Sequence, residues 1–371
     1  MTSVVTDQPR TLTQSTIAEL VRWRPAHGVL SLYADADPAD RGGRWRIELR
    51  NGLDRAIEAG ARGDRETQLA VEETVKRIEQ VLLTEPTEAG GRGLIGFVEA
   101  NRGAGEERWY AAQVAPRRTE ARYGRAPHVS PLIEMLDDGA PVGIVAVSAE
   151  RVRLFHWHLG RLEQLHDWEL DVFSLDWRER KAPGPSDPAA GQMVSAAGRD
   201  QYNQRLESNR ERFAHQTGAL AQVSVAEYGW SRILVFGGER YTPHFAQGFA
   251  GRCELRQVES SDLVSQPTQL IEERVERLLP VLNRDRERVL IERVKEAAFA
   301  EARGSFGAQE TLQALEEGRV EHLIYDAERD HPDVERMIEL ALSTGAAITP
   351  VEGESAAALE EQGGVAALLR Y

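Results

Sequence analysis

The sequence has only one cysteine, Cys253, among its 371 residues. A single thiol excludes an intramolecular disulfide and a metal site built from several cysteines. No apolar run approaches the roughly 20 residues that cross a bilayer, and the polar residues 1–10 lack the apolar core of a secretion signal. These absences predict a cytoplasmic protein that has no membrane segment and needs no metal or other cofactor.

Positive charge is also scarce, with 45 Lys and Arg against 60 Asp and Glu and a net charge of −15. This balance excludes a simple nucleic-acid coat protein, which needs a positive surface. Residues 272–371 hold 22 acids against 12 bases and carry most of the excess. Any RNA contact is therefore expected in the first two thirds of the chain, where basic residues cluster twice; the alternative for each cluster is an ordinary solvated face. The clusters are Arg117, Arg118, Arg122 and Arg125, then Arg178, Arg180 and Lys181.

A chain of this length, with 41% hydrophobic residues, predicts two or three globular domains. We expect the first, residues 1–138, to be an α+β domain. Helices are predicted over residues 16–21, 44–61 and 65–83, and strands over residues 29–33, 93–98 and 109–114. The third helix has an apolar stripe formed by Val71, Val75, Ile78 and Leu82.

The second predicted domain, residues 139–265, begins with three strands in a meander, over residues 142–148, 152–158 and 162–170. A loop rich in proline and glycine, residues 181–198, leads into a long helix over residues 199–223. A buried strand at residues 232–238, a helix at 244–248 and a strand at 253–258 complete an α/β layer with a mixed sheet.

The third predicted domain, residues 266–371, is an α/β/α sandwich. Its pattern indicates helices over residues 270–282, 284–302, 308–317 and 333–344, and strands over residues 320–325 and 347–351. Gly318 is placed to end the helix before the first of these strands.

Two passages of this last domain are the most distinctive text in the chain. They read FGAQETLQALEEGRVEHLIY, at residues 306–325, and GGVAALLRY, at residues 363–371. Together they resemble the last domain of the archaeo-eukaryotic release factor and Pelota family, which is similar to kink-turn-binding ribosomal proteins. The order of meander, loop and long helix also resembles this family, so the resemblance covers roughly residues 140–371. Residues 1–130 are similar to the divergent first domain of a bacterial branch.

In family members that release peptides, the resemblance implies a loop with Gly-Gly-Gln, whose glutamine helps to place water against the peptidyl-tRNA ester. The nearest match here is Ala190-Gly191-Gln192, in which the first glycine is replaced and six residues separate the motif from the predicted helix. Alignment from the helix places the motif on residues 195–197, Ser-Ala-Ala, which lack the required side chain. The sequence therefore favours a non-hydrolytic loop, and Gly191 and Gln192 are the candidate catalytic residues if the loop is active.

Other candidate sites have ordinary structural explanations. His156 and His158 alternate on a strand and could bind zinc, but no third ligand has suitable spacing, so exposed histidines opposite a buried Trp157 are the preferred interpretation. Asp35 and Asp37 precede Pro38, which favours a turn over an acidic metal site. No motif of the Asn-Ile-Lys-Ser type is present, so codon-specific termination is not expected.

The resemblance implies a translation factor that binds the ribosomal A site without hydrolysis, in ribosome hibernation or in the rescue of stalled ribosomes. The expected partners are the ribosome, through its A site, rRNA and bound tRNA, and a translational GTPase such as an elongation factor. Arg199 and Arg205 of the long helix join the two basic clusters as candidate RNA-binding residues. Two alternatives remain open: a peptidyl-tRNA hydrolase or peptide chain release factor that uses the Ala-Gly-Gln loop, and a stress-related scaffold that has lost ribosome binding.

Overall fold

The computed structural model describes residues 12, 14–37, 40, 43–84, 91–171, 177–179, 196–251, 253–259, 263–301, 303–360 and 363–371. None of its described helices is long and apolar enough to cross a membrane. The chain divides into two compact units. The first unit consists of the described residues up to Gly139 together with Leu278–Tyr371, and the second, or middle, unit consists of Ala140–Arg277. Each of the three predicted domains contributes one sheet, and their boundaries at residues 138 and 265 stay a prediction.

The first sheet is antiparallel, with strand order β3-β2-β1-β4, and the predicted α+β class is confirmed. The helices α2 and α3 pack on it, and the predicted stripe at Val71, Val75, Ile78 and Leu82 is buried in the shared core. The elements of this part are α1 (Gln14–Arg22), β1 (Val29–Asp35), α2 (Arg44–Gly60), α3 (Arg65–Thr84), β2 (Gly93–Glu99), β3 (Glu107–Ala112), β4 (Glu120–Gly124) and α4 (Ser130–Asp138).

Strand β4 is not predicted by the sequence pattern. It is an edge strand that pairs only with β1, antiparallel, with Glu120 opposite Tyr33. Most of its side chains are only half-buried, so it lacks the apolar alternation that marks a strand. Arg122, taken from the sequence as part of a basic cluster, lies in this strand.

The second sheet is mixed, with strand order β10-β9-β5-β6-β7-β8. The predicted meander is confirmed, because β5, β6 and β7 pair antiparallel in succession, while β10, β9 and β5 are parallel. Its elements are β5 (Val142–Val147), β6 (Arg151–His158), β7 (Arg161–Leu170), β8 (Trp177–Glu179), α5 (Ala196–Tyr228), β9 (Arg232–Gly237), α6 (Thr242–Gly248) and β10 (Glu254–Glu259).

The third sheet has the order β11-β14-β12-β13 and helices on both faces, which confirms the predicted α/β/α sandwich. Ile324 of β12 packs with α7 and α10 in one core, and α8 and α9 cover the other face. Gly318 follows α8 with φ +69°, as predicted. The elements are α7 (Thr268–Glu301), β11 (Gly304–Phe306), α8 (Ala308–Glu316), β12 (Val320–Asp326), α9 (Val334–Thr344), β13 (Ala347–Val351), α10 (Gly353–Glu360) and β14 (Val365–Leu369).

The two helical stretches predicted at the start of this region form one helix, α7, with Pro280 inside it. Proline removes one backbone hydrogen bond from a helix. Pro280 is exposed, so water can satisfy the carbonyl group that loses its partner.

Candidate functional site

The segment that leads from β8 to α5 is the predicted functional loop of the middle unit. Strand β8 pairs antiparallel with β7, with Leu170 opposite Trp177, and α5 begins at Ala196. Four of the predicted site residues, Arg180, Lys181, Gly191 and Gln192, lie outside the described residues. Arg178 and Arg199 lie in β8 and α5, but their side chains are not among those described.

The helix α5 has 33 residues and is therefore roughly 50 Å long. It is fixed against α6 by a close approach at two glycines. A Cβ atom on Gly218 would lie 2.1 Å from the carbonyl oxygen of Phe245, and one on Gly248 would lie 1.9 Å from the carbonyl oxygen of His215. No side chain fits at either contact, so glycine is required at both positions and the two helices cannot shift freely.

A polar network fixes the first half of α5 to the sheet. Tyr241, after β9, donates its hydroxyl to Glu207 at 2.8 Å, and Arg240 lies 2.9 Å from the same carboxylate. The Tyr241 hydrogen bond and the charges of Arg240 and Arg210 lower the pKa of Glu207. Arg210, one turn further along, pairs with Glu150 in the β5–β6 turn. Arg205, a predicted RNA-binding residue, precedes both contacts in α5 and is exposed.

The two strand histidines lie on one side of β6, as expected, with their rings stacked 5.7 Å apart. Both are half-buried, so the prediction that they are exposed is wrong. The indole of Trp230 donates to Nδ1 of His156 at 2.9 Å, and Tyr228 lies 4.6 Å from the same ring. Burial lowers the pKa of both histidines.

Trp157 is buried on the opposite side of β6, as predicted. Within the described ranges, no group of three or more His, Cys, Asp or Glu side chains could hold a metal ion. The histidine pair is therefore part of an aromatic cluster that joins the end of α5 to the sheet.

The first predicted basic cluster lies in the unit formed by the two ends of the chain. Arg117 donates two hydrogen bonds to Asp138, at 3.0 and 3.1 Å, and lies 3.6 Å from Glu352. Arg118 donates to the carbonyl oxygen of Ala327 at 2.6 Å. The partners Glu352 and Ala327 belong to the third sheet region, so these arginines hold the first and third sheets together.

The other two members of this cluster form no ion pair with the residues just named. Arg122 pairs with Asp330 at 3.0 Å across an exposed surface, and Arg125 is exposed. The sequence brings these four arginines together but does not reveal two of their acidic partners, Glu352 and Asp330, which lie more than 200 residues further along the chain. The acidic excess of residues 272–371 was the available signal.

His128 joins two parts of one unit, although no sequence pattern indicates this role. It follows β4 and lies between two carboxylates, with Nε2 3.6 Å from Glu120 and Nδ1 2.5 Å from Glu335. Burial alone would lower the pKa of His128, but its two carboxylate partners outweigh burial and raise it to about 9. The histidine is therefore a buried cation at neutral pH, shared by the first and third sheet regions of one unit.

Sequence comparison relates the middle of this chain to known proteins. Residues 127–298 match the sequence model of bacterial archaeo-eukaryotic release factor family 10. An uncharacterized protein of Bacillus subtilis (strain 168), YocB, is 21% identical over 222 residues, which make up 59% of this chain and 81% of that protein. The family match contains the whole second sheet together with α5 and α6.

Similar solved structures include three translation proteins. The archaeal translation termination factor aRF1 has a TM-score of 0.26 at 20% identity over 96% of both chains. Archaeal Pelota, from a ribosome-bound assembly with ABCE1, has a TM-score of 0.43 at 16% identity over 75% of this chain and 78% of that one. Dom34 of S. cerevisiae has a TM-score of 0.37 at 10% identity over 75% and 79%.

Proposed function

We propose that this chain, whose residues 127–298 match the sequence model of bacterial archaeo-eukaryotic release factor family 10, is a translation factor that binds the ribosomal A site. It acts without peptide hydrolysis, in hibernation of ribosomes or in rescue of stalled ones. The family match carries this proposal, because it spans the sheet, the loop and the long helix of the middle unit.

The rigidity of α5 supports a role in presenting the preceding segment at a defined place. Glycine contacts fix the second half of the helix to α6, and the Glu207 network fixes its first half to the sheet. A functional segment acts with more precision when a rigid element holds it. The described part of α5 from Glu207 onward therefore has a firm support.

We assign ribosomal RNA contacts first to Arg125 and Arg205, which are exposed. Arg178, Arg180, Lys181 and Arg199, from the region around the loop, belong to the same proposal. Arg117, Arg118 and Arg122 were grouped with them by sequence, but each has a partner inside its own unit, so we assign no rRNA contact to them first.

Co-sedimentation with 70S ribosomes tests the proposal. The wild-type protein is expected to pellet with ribosomes at low salt and to be released as salt rises, because phosphate contacts are screened. The double variant Arg125→Ala, Arg205→Ala should need several-fold more ribosomes for half-saturation. Arg62→Ala, which removes an exposed arginine after α2, is the matched control and should bind like wild type. Wild-type protein that stays in the supernatant at low salt would refute the proposal.

A second candidate function is hydrolysis of peptidyl-tRNA, favoured by Ala190-Gly191-Gln192 in the segment before α5. Peptide release from programmed ribosomes would then fall by a hundredfold or more in Gln192→Ala, since removal of one catalytic positioning group has effects of this order. Gln204→Ala, on the exposed face of α5, is the control. Equal release by wild type and Gln192→Ala removes this candidate.

A translational GTPase is the proposed protein partner, and the acidic residues 272–371 provide a surface suited to protein contacts. If crosslinking of ribosome-bound protein yields no rRNA adducts, the remaining alternative is a scaffold with the same fold and no ribosome contact. Adducts to rRNA near the A site are the result that the proposal requires.

A further inference from the structure

A hollow of about 260 Å³ lies in the first unit, lined by residues of β4, α4 and β12 and by the start of α9. Glu134, Ser130 and Tyr325 line it from the buried side. Three arginines also line the hollow. Arg55 and Arg118 are exposed, and the side chain of Arg122 is 42% exposed. The hollow therefore combines a buried carboxyl group with a rim of mixed charge, because Glu120, Asp330 and Glu335 line it beside the arginines.

Glu134 is only 4% exposed, and no described residue donates a hydrogen bond to its carboxyl group. The hydroxyl of Tyr325, on the same wall, donates instead to the carbonyl oxygen of Ser130 at 3.3 Å. Burial raises the pKa of Glu134 to about 7, opposed by the charges of Arg117 and Arg118. The carboxyl group of Glu134 lines the hollow. A molecule bound there can donate a hydrogen bond to it.

Arg55 and Arg118 also line a second hollow of about 720 Å³, whose lining has as many acidic as basic side chains. Its wall includes Asp35, whose buried Oδ1 has no hydrogen-bond partner. Arg55 is held through Nε by the carbonyl oxygen of Asn51, and Arg118 through Nη2 by that of Ala327. Since a guanidinium group has five N–H donors, each side chain is fixed by one bond and still has donors for an anion.

We propose that these hollows bind a nucleotide, with its phosphate on Arg55 and Arg118 and an amino group of its base on Glu134. Arginine matches the geometry of phosphate oxygens, and carboxylates accept hydrogen bonds from the amino groups of bases. The smaller hollow is below the usual size of a cofactor pocket, so it takes one base rather than a larger ring system. Guanine, with two donors on one edge, fits a carboxylate best, and uracil, without an amino group, fits poorly.

A free nucleotide and a nucleotide within RNA offer the same chemistry. Calorimetric titrations of the full chain, without ribosomes, with GMP, UMP and a single-stranded pentamer of guanosine nucleotides separate the two sources. We expect GMP to bind at least tenfold more tightly than UMP. An RNA affinity tenfold or more above that of GMP identifies RNA as the ligand, and a GMP affinity equal to or above that of RNA identifies a free nucleotide.

Two variants test the assigned residues. Glu134→Gln, nearly identical in shape, should weaken GMP binding roughly tenfold, and Arg55→Ala should weaken GMP binding and reduce its salt dependence. Glu287→Gln is the matched control for the first, because Glu287 is also buried with a pKa of about 7 but lines neither hollow. Arg62→Ala is the control for the second. Thermal unfolding checks that each variant is folded.

The proposal is overturned if wild type binds neither GMP nor RNA, or if folded Glu134→Gln binds GMP as tightly as wild type. It does not depend on ribosome binding. A protein that pellets with ribosomes and binds no nucleotide would refute this site alone, whereas nucleotide binding without ribosome binding would refute only the translation proposal.

Discussion

Nδ1 of His128 lies 2.5 Å from Oε1 of Glu335, which joins the residues before α4 to the first turn of α9. The same carboxylate accepts the backbone N–H groups of Val129 and Ser130, each at 3.0 Å. The start of α4 has no cap from a side chain of its own, and the first N–H groups of a helix need acceptors. Glu335 therefore caps α4 from a helix about 200 residues away in the chain.

Replacement of this carboxylate should destabilise the first unit. Glu335→Ala removes an ion pair and two hydrogen bonds at a helix start. Since about a third of the Glu335 side chain is exposed, we expect a loss of about 2 kcal/mol in the free energy of unfolding, below that of a fully buried pair. Urea titration measures it. Glu339 lies on the same helix as Glu335 and forms an exposed ion pair with Arg24. Glu339→Ala, which breaks that pair, should lower the free energy of unfolding by less than about 0.5 kcal/mol.

His128 should also make stability depend on pH. Its pKa is about 9 in the folded protein and near 6.5 in an unfolded chain. The folded state therefore holds the extra proton between these values, so the stabilisation is complete below pH 6.5 and is lost as pH rises through about 9. Urea titrations at pH 6, 7.5 and 9 should show a decline of order 1 kcal/mol per pH unit. His128→Gln should be less stable at pH 6 and lack most of this decline; an identical slope would contradict the assignment.

Local sequence patterns predicted most elements of the fold, whereas contacts between distant parts of the chain were not predictable from them. The stripe of α3 was visible because Val71 and Val75 repeat at helical spacing and face one core. Strand β4 was missed because an edge strand with half-buried side chains has no such repeat. The partners of Arg117 and His128 depend on tertiary packing, which periodicity does not encode. The candidate loop was located by its composition, but Gly191 and Gln192 fall outside the described residues.

The contact between α5 and α6 should not tolerate a methyl group. In Gly248→Ala the new Cβ atom would meet the carbonyl oxygen of His215 at 1.9 Å, so the helices must separate. We expect a loss of about 3 kcal/mol or more in unfolding free energy and weaker ribosome binding. Gly238→Ala is the control, because nothing lies within 4 Å of a Cβ atom there. Equal urea midpoints for both variants would show that the contact relaxes without cost.

The turn between β6 and β7 should gain stability from a glycine. Leu159 has φ +47°, a left-handed conformation that is unfavourable for a side chain with a Cβ atom, and Gly160 follows at φ +79°. Leu159→Gly is expected to raise the free energy of unfolding by about 0.5 kcal/mol, after the greater flexibility of glycine in the unfolded chain is subtracted. Leu162→Gly, within β7, has no such strain to relieve and should lower stability by about 1 kcal/mol. Thermal unfolding of both variants decides the matter.

The division of the chain also has a consequence for its synthesis. The residues up to Gly139 share a unit with Leu278–Tyr371, and all of Ala140–Arg277 is made between them. A nascent chain can complete the second unit while the first still lacks its carboxyl-terminal part. Until Glu335 emerges, His128 has only one of its two carboxylates and α4 has no cap. Folding of the middle unit first would shorten the effective loop between the two halves and so reduce the entropy cost of joining them. Mutations that slow the folding of Ala140–Arg277 should therefore delay closure of a unit to which those residues do not belong.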